Sequence, residues 1–117
     1  MLFDTTQLAL ERAIQGASQR QVALSSNLAN ANTPGYQRVD VDFHGALSAA
    51  MGDREMLEHT TFTPATDAGA VVTRADGSTV DVDAESAMLA ANALEHQAAV
   101  TIAATRTSIM QIAMGAK

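Results

Sequence analysis

The sequence predicts an all-α fold: two long N- and C-terminal helices packed as an antiparallel coiled-coil pair, with a small extended or β-hairpin middle arm. Three observations predict it. Apolar, small or Gln residues recur at alternating threes and fours from Phe3 to Ala31, and again from Ala91 to Ile112, the spacing of a helical seam. Between these stretches the period is lost, and Pro34-Gly35, Pro64 and Asp76-Gly77 punctuate the chain, as turn residues do. Alanine is the commonest residue while the aromatic set is three Phe, one Tyr and no Trp, so helices can approach closely yet bury little bulk. The chain divides into an N-terminal helix at 1–34, an extended arm with a mobile loop and a β-hairpin signal at 35–83, and a C-terminal helix at 84–117.

The first helix opens on a full start signal. Asp4 stands at the N-cap with Gln7 three positions on, and Phe3 can staple against Leu8. Phe3, Gln7, Leu10, Ile14, Ala17, Gln21, Leu24, Leu28 and Ala31 then form its seam, in which the two Gln residues weaken pairing but can fix register. Pro34 biases Thr33 away from α geometry, and Pro-Gly suits the centre of a type II turn, so the helix stops within residues 30–35.

Val39-Asp40-Val41-Asp42-Phe43 alternates apolar and acidic residues, which reads as an extended arm with one apolar face. A short helix is expected over Gly45–Met51, and residues 52–70, with Thr clusters and Pro64, read as a mobile loop. Ala70–Arg74 and Ser78–Val82 flank Asp76-Gly77, a hairpin signal. The last helix begins near Asp83, with Asp83 and Glu85 where the macrodipole favours negative charge. Ala91, Leu94, Ala98, Ile102, Thr105, Ile109 and Ile112 make its seam, closed by Gly115 and Lys117.

Composition narrows the function. A net charge of −6 and a pI near 4.7 argue against nucleic acid as a partner, because binders of phosphate backbones carry a basic stripe. Without Cys there is no disulfide, no thiolate nucleophile and no Cys-based zinc site. Met1-Leu2-Phe3-Asp4 lacks the basic and apolar regions of a cleaved secretory signal. The run from Ala98 to Ala116 carries Arg106, which costs about 2.5–3.5 kcal/mol at a membrane centre, and Ala offsets little of it.

No chemistry-bearing constellation emerges. His44, His59 and His96 stand apart without metal-ligand spacing. Asp81, Asp83 and Glu85 resemble a fragment of a calcium loop but lack its glycine and final bidentate Glu; a helix N-terminus explains them. There is no phosphate loop and no nucleophile elbow. The expectation is no enzyme, no cofactor, no metal and no small-molecule substrate.

The distinctive stretch is Ser25-Ser26-Asn27-Leu28-Ala29-Asn30-Ala31-Asn32-Thr33-Pro34-Gly35-Tyr36. Asn residues at a helix end can cap it or take left-handed geometry, Pro-Gly sets the turn, and Tyr36 supplies an amphipathic anchor. An ordinary helix stop accounts for Pro-Gly but not for the Asn repeat with Tyr.

Asn27, Leu28, Ala29, Asn30, Thr33, Pro34, Gly35 and Tyr36 match without a gap a motif of the flagellar axial proteins, and the sequence resembles that family over residues 1–45 and 76–117. Its short length, its Val39–Phe43 arm and the run Asp76–Glu85 are similar to the small proximal subunits of the flagellar basal-body rod. A second small rod type usually carries Glu-Met and Arg-x-Tyr-x-x-Asn in the last helix, from which Asn92-Ala93-Leu94-Glu95-His96-Gln97 departs.

The resemblance implies a structural subunit exported through the flagellar type III apparatus and assembled helically in the periplasm. Implied partners are other rod subunits, the rod adaptor, the membrane-ring protein and the export gate. The helix seam and assembly contacts are expected at Leu10, Ile14, Leu24, Leu28, Leu94, Ile102, Ile109 and Ile112, and the turn with a neighbour contact at Asn27, Asn30, Pro34, Gly35 and Tyr36. Alternatives are another axial subunit or a soluble helical export adaptor or chaperone.

Overall fold

The computed structural model describes residues 4–67 and 73–115. Helix α1 (Thr5–Ala29) leads into strand β1 (Val39–Asp40), helices α2 (Phe43–Ala50) and α3 (Arg54–His59), strand β2 (Ala65–Thr66) and the long helix α4 (Val82–Ala113). The body is 62 Å long, 28 Å wide and 16 Å thick. The chain is mostly helical, and its two long helices pack on each other. No helix among the described residues is long and apolar enough to cross a membrane.

Each helix starts where a side chain satisfies its free amides. Asp4 accepts from Gln7 N at 2.8 Å, Asp42 from Gly45 N at 3.0 Å and Asp53 from Met56 N at 3.2 Å. Asp81 accepts from the amides of Asp83 and Ala84. Phe3 and Lys117, expected in the first staple and the last turn, lie outside the described residues.

Polar rungs fix how α1 and α4 lie together. Asn27 meets Glu85, Ala17 and Gln21 meet Asn92, and Gln7 and Asp4 meet Arg106. Rising numbers on one helix meet falling numbers on the other, so the helices run in opposite directions.

Apolar packing gathers at one end. Ala17, Ala23, Val41 and Phe43 form the core cluster, with Val39 and Phe62 against it, and Phe43 and Phe62 meet edge to face at 6.4 Å. Gly16 lets α2 approach this closely, since a Cβ there would stand 2.5 Å from Phe43 Cβ. The apolar face expected of the Val39–Phe43 arm is therefore buried against α1.

Three expectations need correction. Residues 52–70 are not an unstructured loop where described: they hold α3, whose Leu57 is fully buried, and β2. A six-residue helix is too short to show a period, and it is held from outside, with Arg12 donating to the carbonyls of Leu57 and Glu58. The hairpin around Asp76-Gly77 forms its turn, with Arg74 N donating to Ser78 O at 2.7 Å. It forms no regular strands among the described residues, however, and Ala70–Val72 lie outside them. The two-stranded pairing instead joins β1 to β2, antiparallel, Val39 opposite Thr66 and Asp40 opposite Ala65.

The third correction concerns α4. Leu94, Ile102, Ile109 and Ile112 are 50–70% exposed and do not form the intrachain seam. The side facing α1 carries Glu85, Asn92 and Arg106, about one residue and hence roughly 100° around the helix from the apolar series. The half-buried positions of α4 also include Met88, Leu89, Ala99, Ala103 and Met110, so the helix carries apolar residues on more than one side and a period alone does not say which side meets α1. On α1, Leu24 is fully buried, Ala17 and Ala31 are buried, and Leu10, Ile14 and Leu28 are half-buried.

Candidate functional site

The Asn-rich stretch closes α1 and turns the chain back along it. Asn30 is the C-cap; its amide N–H and its Nδ2 both donate to Ser26 O, at 3.0 and 2.9 Å, while its Oδ1 accepts from Thr33 Oγ1. Gly35 takes a φ of +73° and donates its N–H to Asp76 O at 2.9 Å, a left-handed conformation that glycine adopts without the Cβ penalty. Pro34 and Ala29 are exposed and Leu28 half-buried.

Asn27 has a different task. It is fully buried, and its amide acts as a substitute peptide for β1: Nδ2 donates to Val39 O at 2.6 Å and Val39 N donates to Oδ1 at 2.9 Å. A helix side chain thereby completes one edge of a strand, satisfying two backbone groups that burial would otherwise orphan. Tyr36 OH donates to the same Oδ1 at 3.3 Å and lies 3.4 Å from Ser26 Oγ, which is the polar end of the expected aromatic anchor. The motif residues Asn27, Asn30, Thr33, Gly35 and Tyr36 thus share one linked turn.

Next to Asn27 sits a charged cluster that sequence reasoning missed. Asn27 Nδ2 also donates to Glu85 Oε2 at 3.2 Å, and Glu85 Oε1 accepts from Arg38 Nε at 2.5 Å. Arg38 further reaches Asp67 and, at 3.3 Å, Asp40, which Arg20 holds at 2.9 Å. Glu85 is 1% and Arg38 7% exposed. Burial works against the Arg38 cation, but the hydrogen bond and charge of Glu85, with Asp67 and Asp40, outweigh it and raise its affinity for the proton. Burial likewise pushes the Asp40 carboxyl up, and the hydrogen bonds from Arg20 and Val41 N with the Arg20 and Arg38 charges bring it below its ordinary 3.8.

Glu85 was placed at a helix N-terminus for its macrodipole, which holds, but its main partner is a cation from the arm. The available signal was Arg38 itself, a lone base before the acidic alternation Val39-Asp40-Val41-Asp42. Asn92 was also missed; its Nδ2 donates to Ala17 O and Gln21 Oε1, both at 2.8 Å. Gln7 and Gln21, expected to set register, do contact α4.

Among the described residues the three histidines join no such cluster. His44 Nε2 lies 2.8 Å from Glu95 Oε2 on an exposed surface. No group of three or more His, Cys, Asp or Glu among the described residues could hold a metal.

Residues 8–37, which run from the first turn of α1 through the whole linked turn, match the family described as flagella basal body rod protein. The similarity extends along the chain. The flagellar basal body rod protein FlgB of Salmonella typhimurium (strain LT2) is 32% identical over 79% of this chain and 80% of its own length. The chain belongs to the FlgB family of flagellar basal body rod proteins. Its FlgB relative in Yersinia enterocolitica is 34% identical over 79% of this chain and 80% of its own length. That of Bacillus subtilis (strain 168) is 31% identical over 85% and 84%. In this FlgB-family chain the matched segment is the one whose polar groups hold α1, the arm and the start of α4 together.

Proposed function

We propose that the chain is a structural subunit of the proximal rod of the bacterial flagellar basal body, a drive-shaft component that assembles helically with other rod subunits and transmits torque. Membership of the FlgB family supports the rod assignment. The observation that carries the mechanical reading is the outward face of α4, where Leu94, Ile102, Ile109 and Ile112 stand exposed along one helix. Coiled-coil contacts with neighbouring helices would cover this face.

Rod subunits, the rod adaptor, the membrane-ring protein and the flagellar export gate are its partners in this reading, and the periplasmic rod is its location. Asn27, Leu28, Ala29, Asn30, Thr33, Pro34, Gly35 and Tyr36 set the turn, with Pro34 and Ala29 on the side open to a neighbour.

Substituting Ile109 by Asp tests this reading cleanly, because the side chain is 59% exposed and its change leaves the monomer's packing alone. Export and helix content should be normal while rod incorporation and swimming are lost. Normal motility with Ile109→Asp and Ile102→Asp would refute the assembly face.

A further inference from the structure

Arg38 ties the arm to α4, and its partners Glu85 and Asp40 are in turn held from α1. Nε donates to Glu85 on α4, Nη1 to Asp67 just beyond β2, and Nη2 to Asp40 on β1, with Met88 Sδ 3.9 Å away. On the far side Asn27 of α1 holds Glu85, and Arg20 of α1 holds Asp40. We propose that the buried Arg38–Glu85 pair couples arm to helix: the segment from β1 to β2 and the first turns of α4 keep their docked positions only together, with Arg38 as the positioning residue.

The argument is one of desolvation. With arm and α4 both docked, Glu85 is 1% exposed; with the arm away it loses the Arg38 cation and keeps only the neutral amide of Asn27. A docked arm without α4 strips Arg38 of its most buried partner, 2.5 Å away, leaving the guanidinium only the partly exposed Asp40, which it shares with Arg20, and Asp67. Removing one member of a buried pair is strongly unfavourable because the other charge is stranded.

The second side-chain bridge from this region to α4, His44 to Glu95, joins groups 57% and 48% exposed and is worth little by comparison. A coupling free energy acts equally in both directions. A change confined to α4 must therefore loosen the arm, and one confined to the arm must loosen α4.

Hydrogen exchange on the full-length chain, read at residues 54–66 and 84–92, tests this. Glu85→Gln should accelerate exchange in the arm by roughly tenfold or more, and Asp67→Asn should accelerate it in the start of α4 by a similar factor. His44→Ala should change neither by more than about twofold. If Glu85→Gln costs the chain its helical circular dichroism, the Asp67→Asn result decides. The proposal is overturned if either variant loosens only its own element, or if the unsubstituted chain protects neither segment.

Discussion

Replacing Asn27 by Ala removes four hydrogen bonds from a site with no exposure to solvent. Two of them are to the backbone of Val39, whose N–H and C=O then stand buried without partners. Each orphaned group costs about 1–3 kcal/mol, and Glu85 loses a donor as well. The deleted amide leaves room for about one water, which could recover part of the loss, so the expected destabilisation is about 2–5 kcal/mol. Urea unfolding followed by circular dichroism reads this directly. With a slope of roughly 1–2 kcal/mol/M for a domain of this size, the midpoint should fall by about 1–5 M, a large part of the total stability. Asn27→Asp should be worse than Ala despite its matching shape. A carboxylate accepts from Val39 N and Tyr36 but cannot donate to Val39 O, and it sets a second negative charge against Glu85. Adding Glu85→Gln to Asn27→Asp should recover part of the difference. A midpoint for Asn27→Ala within about 0.3 M of the parent, or equal behaviour of Asp and Asn, would show that the substitute-peptide role is wrong.

Three further outcomes are expected. Gly16→Ala gains up to about 1 kcal/mol of helix propensity but drives a Cβ to 2.5 Å from Phe43 Cβ, an atom fixed to its own backbone; a net loss of about 1–3 kcal/mol in thermal melts, with α2 released, should follow. Leu57→Ala removes a fully buried side chain at a cost of about 2–5 kcal/mol, and limited proteolysis should then cut within residues 52–66 while α1 and α4 survive. Asp40 has its folded-state proton affinity lowered below the ordinary 3.8, so its contribution is complete above that value and is lost as pH falls through the lower folded one. Acid melts below about pH 3.8 should therefore show a stability loss that Asp40→Asn, already destabilised at neutral pH, lacks.

Much of this was legible in the residues because it rests on local rules. Asp4 with Gln7 announced the start of α1, and Thr33-Pro34-Gly35 its end. The N-terminal seam residues Ala17, Leu24 and Ala31 are buried, since period and packing agree there. On α4 the exposed Leu94, Ile102, Ile109 and Ile112 are not the residues that meet α1, because a period identifies which positions are apolar, not which face meets α1, and the inner face mixes Glu85, Asn92 and Arg106 with half-buried Met88, Leu89, Ala99, Ala103 and Met110. Likewise α3 and β2 are six and two residues long, too short for any periodic signal, and are held by long-range contacts from Arg12 and Arg38. The motif was visible as Asn27–Tyr36, but its partners Asp76, Thr79 and Glu85 lie far along the chain, where only the fold brings them together.

The division of labour on α4 has an energetic logic. Inside, polar rungs at Glu85, Asn92 and Arg106 specify one register, because a slip would bury unmatched groups, yet such pairs add little net stability. No described α4 residue beyond Asn92 is buried, so the far half of the helix pair is held loosely. Outside, Leu94, Ile102, Ile109 and Ile112 are 50–70% exposed, so covering what remains is worth about 1–2 kcal/mol each, or roughly 4–7 kcal/mol together. Losing the freedom of a separate subunit costs about 4–15 kcal/mol. One neighbour along this stripe therefore at best balances association, and a second or third decides it. In the rod reading, isolated subunits should remain apart, while a growing end that offers several neighbours at once captures them.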